Sequence, residues 1–251
     1  MERKSSMYND KAKEIHDKMF PGYPIDENDP DYDFTVRYEN WAYGEVMGSN
    51  DLDDRHRTLA TLATCMGAGA VDEFGFLIPS AINSFGLKPE EIKELVYQGC
   101  AYLGIARIFP FLSRTNEVFK QLGIKESDES RLTNTEETRQ PTGTAAQVEI
   151  FGERMKEFYK AGKINYWLAS NCFGDYYTRK GLDLSDREMI TFCFLLAQGG
   201  CESQLKSHIK GNFNVGNNEE FLQKVIEQMI PYIGYPRSLN AVAALREVSQ
   251  K

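Results

Sequence analysis

The sequence has no surplus of positive charge. Its 29 Lys and Arg face 37 Asp and Glu, for a net charge of −8. A chain of that sign finds no support as a nucleic-acid binder. It has no apolar run that reaches the ~18 residues a membrane helix requires. Its first twenty residues, MERKSSMYNDKAKEIHDKMF, are too charged for a signal peptide. It has no even set of cysteines. The five, at positions 65, 100, 172, 193 and 201, sit mostly among apolar residues. That suits reduced thiols in a cytoplasm better than a disulfide framework. No strand signal competes with the helical periodicities. These absences leave a cytoplasmic, all-α protein with no membrane or nucleic-acid partner. Its 251 residues are enough for one or two domains and a sizeable core.

What is present is a succession of helical patterns. Residues 8–20 place Ala12, Ile15, Met19 and Phe20 on one side. PGYPIDENDPDYD is a loop of turn residues. Phe34 to Val46 is helical again, and Leu59 to Met66 is a buried helix stopped by Gly67-Ala68-Gly69. Val71 to Phe85 follows, with a kink expected at Pro79. Pro89-Glu90-Glu91 opens a long helix to about Leu103, because proline and carboxylates suit a first helical turn. Gly104 ends it, and Arg107 to Leu122 forms one more.

The order then recurs. LKPEEIKELVYQGCAYLGIAR answers NNEEFLQKVIEQMIPYIGYPR, pairing Gln98 with Gln228, Tyr102 with Tyr232, Gly104 with Gly234 and Arg107 with Arg237, each 130 positions apart. Asp51-Leu52 and Arg55 are read as answering Asp183-Leu184 and Arg187. The chain reads as a tandem duplication of one helical unit of about six helices. The first copy spans 1–124 and the second 145–251. KESDESRLTNTEETRQPTGT, residues 125–144, is polar and aperiodic, and reads as a solvated linker.

The chemistry gathers in FGDYYTRKGLDLSDREMITFCFLLAQGGCESQLKSHIKGNFNVG, residues 173–216. Its first part reads as a loop that ends at a cap, Asp183 or Ser185. Ile190, Phe192, Phe194, Leu195 and Leu196 are apolar almost all round, so their helix is buried. Gly199-Gly200 breaks it, and a second helix starts near Cys201. Cys201, Gln204, Leu205 and His208 share one face of that helix.

This run, continued through Gln228-x3-Tyr232-x-Gly234-x-Pro236, resembles the carboxymuconolactone decarboxylase family. The alkyl hydroperoxidase D proteins share its superfamily. The resemblance covers the second half at each landmark: the FG before the loop, Arg179, Arg187 and His208. It implies an all-α unit whose two copies form a pseudo-dimer inside one chain. It also implies a homo-oligomer, with a trimer favoured.

His208 occupies the place of the family's functional histidine, and imidazole titrates near neutrality. The hydroperoxidase relatives carry Cys-x2-Cys-x3-His; here Cys201 is kept and Gln204 replaces the second cysteine. Without the pair, disulfide exchange inside the motif is excluded. The decarboxylases place a carboxylate where Gln204 stands, and Gln204 offers hydrogen bonds but no proton transfer. Glu188 lies one place from the glutamate that precedes the cysteines in the peroxidase relatives. Cys201, at a helix start after two glycines, has a setting that lowers a thiol pKa. Arg179 matches a family arginine and suits a substrate carboxylate. Arg187 is expected to brace the helix start, Tyr102 and Tyr232 to pack, and His56 to lie at the surface. The first copy has Ile78 and Phe74 where the second has His208 and Gln204, so one site per chain is expected.

The reading is therefore a small-molecule lyase or isomerase with no cofactor and no metal, acting on a carboxylated lactone or related cyclic acid. His208, Cys201 and Glu188 are its catalytic candidates; Arg179 and Gln204 are its substrate-binding candidates. Two other readings stand beside it. One is a thiol-dependent, antioxidant peroxidase using Cys201 with His208. The other is a non-catalytic binding protein that keeps the fold.

Overall fold

The computed structural model describes residues 8–250, and every regular element among them is a helix. The charged start that reads against a signal peptide lies partly outside the described residues. No helix among the described residues is long and apolar enough to cross a membrane.

The first half runs α1 (Asp10–Met19), α2 (Tyr32–Glu39) continuing as a π-helix (Asn40–Met47), α3 (Asp54–Ala68), α4 (Val71–Asn83), α5 (Pro89–Leu103) and α6 (Ile105–Gln121). The second half runs α7 (Arg139–Phe151), two short 3₁₀ turns and α8 (Lys163–Trp167), which continues as a π-helix (Leu168–Tyr177). Then come α9 (Leu184–Gln198), α10 (Glu202–Asn214) and α11 (Glu219–Ser249).

Two capped helices make the centre. The Asp53 side chain accepts from His56 N, and the Asp183 side chain accepts from Asp186 N. Each aspartate thus satisfies an orphan donor at its helix start. The caps lie 130 residues apart, and α3 and α9 are both 15 residues long. They pack on each other closely. A Cβ added at Gly67 of α3 would run into the Phe194 backbone and Ala197 of α9. Burial on all sides explains why both helices are apolar nearly all round. Leu59, Leu62 and Met66 face the same core as Phe192, Phe194 and Leu195.

Around this centre the halves clasp each other. Arg187 Nη1 donates to Gln98 Oε1 at 3.0 Å, and Arg57 Nε donates to Gln228 Oε1 at 2.9 Å. The partner of Arg187 across the 130-residue spacing is therefore Arg57. The sequence pairing with Arg55 is two places out, and the loops before α3 and α9 are of equal length. Arg55 instead forks Asp186, at 2.8 and 2.6 Å. His56 is no free surface residue: it sits 2.6 Å from Asp53 and 3.5 Å from Asp186. Gly104 and Gly234 hold positive φ, 76° and 72°, which ends α5 and breaks α11 at matched places.

Two other expectations change. FGDYY is helical, not loop, and α7 takes in residues 139–144 of the expected linker. The two segments meet in a backbone-to-backbone approach that only glycine permits. A Cβ at Gly143 would overlap Ala169 O, and one at Gly174 would overlap Arg139 O. The crossing before α7 is also tied down. Asn134 Nδ2 donates to Gly174 O at 2.6 Å, and Thr133 Oγ1 donates to Thr178 O at 2.7 Å.

Candidate active site

His208 projects from α10, which begins after Gly199 and Gly200, both at positive φ. His208 is 7 % exposed, and its Nδ1 lies 2.8 Å from Glu188 Oε2. Glu188 is fully buried on α9. Asn212, four residues after His208, fixes the approach of the two helices by donating to Glu188 O at 3.0 Å. Gly211 makes room for the carboxylate: a Cβ there would meet Glu188 Oε2.

Behind the carboxylate runs a chain of hydroxyls. Tyr177 OH donates to Glu188 Oε1 at 2.8 Å. Its one proton is then committed, so Thr191 Oγ1 at 2.7 Å and Tyr102 OH at 2.9 Å donate to it. Gln98 Nε2 in turn donates to Thr191 Oγ1 at 2.9 Å. Burial first, and the nearby Glu188 next, push Tyr177 well above the usual phenol value. Burial also raises Tyr102, helped by Cys172, Tyr177 and Glu188. Both therefore serve as neutral donors. Gln98 and Tyr102 come from α5, so the first half completes the second half's site.

The Tyr102 and Phe151 rings each stand edge-on to His208 at 5.4 Å. With Nδ1 engaged by Glu188, Nε2 is the imidazole atom available to a ligand. His208 lines a cavity of about 650 Å³, together with Tyr102, Gln147, Phe151, Arg154 and Cys172. That is room for a small ring acid. Cys201 and Gln204 line it too.

The structure thus brings His208, Glu188, Cys201 and Gln204 to one place. Arg179 does not join them. Its fork holds Glu94, with Nε 2.9 Å from Oε2 and Nη2 2.9 Å from Oε1. Arg187, fully buried, reaches the same carboxylate at 3.3 Å. The carboxylate that Arg179 binds is the protein's own, and its face belongs to a separate groove. Arg187 is the keystone of this inter-half pair rather than a brace for one helix start.

The thiol expectation is also corrected. Cys201 caps α10 by position, yet its Sγ–H donates to Leu195 O at 3.4 Å and the thiol pKa is raised, not lowered. Burial is the main cause, with Glu202 adding to it. Gln204 is exposed and accepts from Ser203 Oγ at 2.9 Å. Among the described residues, no three His, Cys, Asp or Glu side chains converge on a metal-sized point.

Sequence reasoning missed Tyr177, Thr191, Gln147 and Arg154, and gave Tyr102 a packing role. Tyr177 and Glu188 had a usable signal once the register is right: the first half has Met47 and Thr58 there. Tyr102 had none, because tyrosine stands at both matched positions.

A buried glutamate stands behind a histidine, on two helices joined by a Gly-Gly break, within an all-helical scaffold. The family model of the carboxymuconolactone decarboxylase family matches residues 164–247, which hold the whole Glu188–His208 pair. The 4-carboxymuconolactone decarboxylase of Acinetobacter baylyi (strain ATCC 33305 / BD413 / ADP1) is 32 % identical over 97 residues. That match spans 39 % of this chain and 72 % of the relative. The chain belongs to the carboxymuconolactone decarboxylase family.

Proposed function

We propose that the protein is a decarboxylating lyase for a small carboxylated lactone or related cyclic acid, with His208 as its proton donor. The observation that carries the reading is the 2.8 Å contact between Glu188 and His208 Nδ1 at the wall of the cavity. The bond to the leaving carboxylate breaks, and its electron pair stays on the ring carbon, spreading toward the ring carbonyl. The Nε2–H of the His208 imidazolium then protonates carbon. Glu188 holds Nδ1–H, fixes the ring's orientation and offsets its positive charge until the proton leaves. Tyr177 and Tyr102 keep Glu188 in place. Water entering the cavity reprotonates the imidazole for the next turnover.

Arg154 takes the substrate-carboxylate role that the sequence assigned to Arg179. It lines the cavity, is exposed, and makes no ion pair among the described residues. The thiol peroxidase reading has less support, because Cys201 is held as a thiol. We further read the two halves as copies of one unit, with one site per chain. Exposed Ile105 and Phe109 stand 130 positions before exposed Tyr235 and Leu239. Matched apolar faces of this kind support a closed homo-oligomer, for which three chains remain our proposal.

The test is carbon dioxide release from 4-carboxymuconolactone. The wild type should turn it over, and Glu188→Gln should lower kcat by roughly 10²-fold or more while Tyr177 and His208 stay in place. No release by the wild type, or an unchanged rate in Glu188→Gln, would sink the reading.

A further inference from the structure

Among the described residues, Gln147 is the one polar side chain in the cavity wall that the scheme above leaves unused and the fold leaves unpaired. It is 0 % exposed, and neither Oε1 nor Nε2 has a hydrogen-bond partner among the described residues. Buried amides are nearly always paired. The other two deeply buried glutamines of the core obey that rule: Gln98 binds Arg187 and Thr191, and Gln228 binds Arg57 and Val46 O. Gln147 lies on the last turns of α7, four residues before Phe151, whose ring abuts His208, and seven before Arg154. All three line the same cavity. An amide kept without a protein partner beside a proton-transfer histidine is placed to pair with whatever the cavity binds.

We propose that Gln147 is a substrate-binding residue whose Nε2–H donates to the ring carbonyl oxygen of the bound acid. The identity of the ligand rests on the lyase reading; the unpaired amide does not. Three groups then divide the ligand. Arg154 takes a carboxylate, His208 faces the carbon that is protonated, and Gln147 takes the oxygen onto which charge spreads. A donor aimed at that oxygen binds the lactone and strengthens as the bond to carbon dioxide breaks. Because neither amide atom is pinned by the protein, the amide can turn its nitrogen to the ligand.

The experiment compares wild type with Gln147→Met, which keeps the length and removes the amide. Calorimetry measures binding of two stable probes: a saturated carboxylated γ-butyrolactone, and the matching tetrahydrofuran carboxylic acid that lacks the ring carbonyl. Wild type should prefer the lactone by roughly tenfold, the weight of one well-made hydrogen bond in a dry site. Gln147→Met should lose that preference and melt no lower than wild type. If Gln147→Met does not fold, Gln147→Glu, which presents no donor as a carboxylate, should lose the preference in the same way. Retained preference in either variant overturns the assignment. So does a wild type that binds both probes equally, or binds neither. A Gln147→Met that folds but melts several degrees lower shows a structural amide and also overturns it. Wild type that binds the lactone probe yet fails to decarboxylate 4-carboxymuconolactone sinks the lyase reading and leaves the Gln147 comparison standing.

Discussion

The surroundings of His208 and of Ile78 stand 130 positions apart in the two halves, and the second pairs an imidazole with a buried carboxylate where the first has isoleucine and threonine. In the second half, Tyr177, Glu188 and His208 form a buried polar chain. In the first half, Met47, Thr58 and Ile78 stand at the matched positions. The smaller Thr58 beside Met47 and Arg57 leaves a void of about 30 Å³, no more than a water or two. The groove that corresponds to the His208 cavity is also smaller, about 310 Å³ against about 650 Å³. It is lined by Tyr38, Cys65 and Tyr232, and Ile78 does not reach it. The shared frame, Arg57–Gln228 and Arg187–Gln98, is the same on both sides. Packing and clasp thus recur in both halves, and the polar chain rests on three differences between them. The exchange of helices matters as much. Tyr102 of the first half donates to Tyr177 of the second, so the polar chain behind His208 draws on both halves.

The largest expected effect breaks the clasp between the halves. Glu94 is fully buried and holds Arg179 and Arg187, while its matched position carries Lys224. Glu94→Gln strands two arginines, one of them wholly buried. Loss of one partner from such a pair costs about 3–5 kcal/mol. Denaturant unfolding should show that loss, whereas Lys224→Gln should shift the midpoint by little.

A smaller effect follows acid. Burial raises Asp186, but His56 and Arg55 outweigh it and hold the carboxyl at about 2. The folded value is depressed, so this contribution is present above the ordinary aspartate range and is lost as pH falls through about 2. A depression of this size is worth roughly 2–2.5 kcal/mol. Asp186→Asn should flatten the melting temperature between pH 4 and pH 2 relative to wild type. An equal acid slope in both proteins would remove Asp186 as its source. His56, raised by the same carboxylate, acts in the opposite sense: its share is lost as pH climbs through its folded value.

The smallest effect sharpens the two tyrosines. Tyr102→Phe keeps the ring against His208 and deletes one donor to Tyr177, so about 0.5–1.5 kcal/mol should appear in the rate or stability. Tyr232→Phe, at the matched place, should leave the rate unchanged. Equal rate losses in both variants would erase the distinction between the halves.

Much of this was legible in the sequence. Caps, glycine stops and apolar helices gave the all-α order, because each is a local signal. Placing His208 needed only helical spacing and the family pattern. The rest depended on approach between segments far apart in the chain. Glu188 is twenty residues from His208 and reaches it through the crossing of α9 and α10. Arg179 carried the right chemistry for a ligand carboxylate, and only the fold shows that Glu94 fills its fork. The helix dipole argued for an activated Cys201, but burial and Leu195 O decide against it. The π-helix was hidden in FGDYY, where the close approach of Gly143 and Gly174 to facing backbone joins segments that no local pattern links.

The most direct measurement sets rate against melting temperature for His208→Ala and Ile78→Ala, using carbon dioxide release from 4-carboxymuconolactone. His208→Ala should lose about 10²–10⁴-fold in rate with its melting temperature nearly kept. Ile78→Ala, at 0 % exposure in the core, should lose roughly 2–5 kcal/mol of stability while the folded protein keeps its rate. Full activity in His208→Ala, or unfolding of it to the degree expected of Ile78→Ala, would make His208 a core residue and contradict the site.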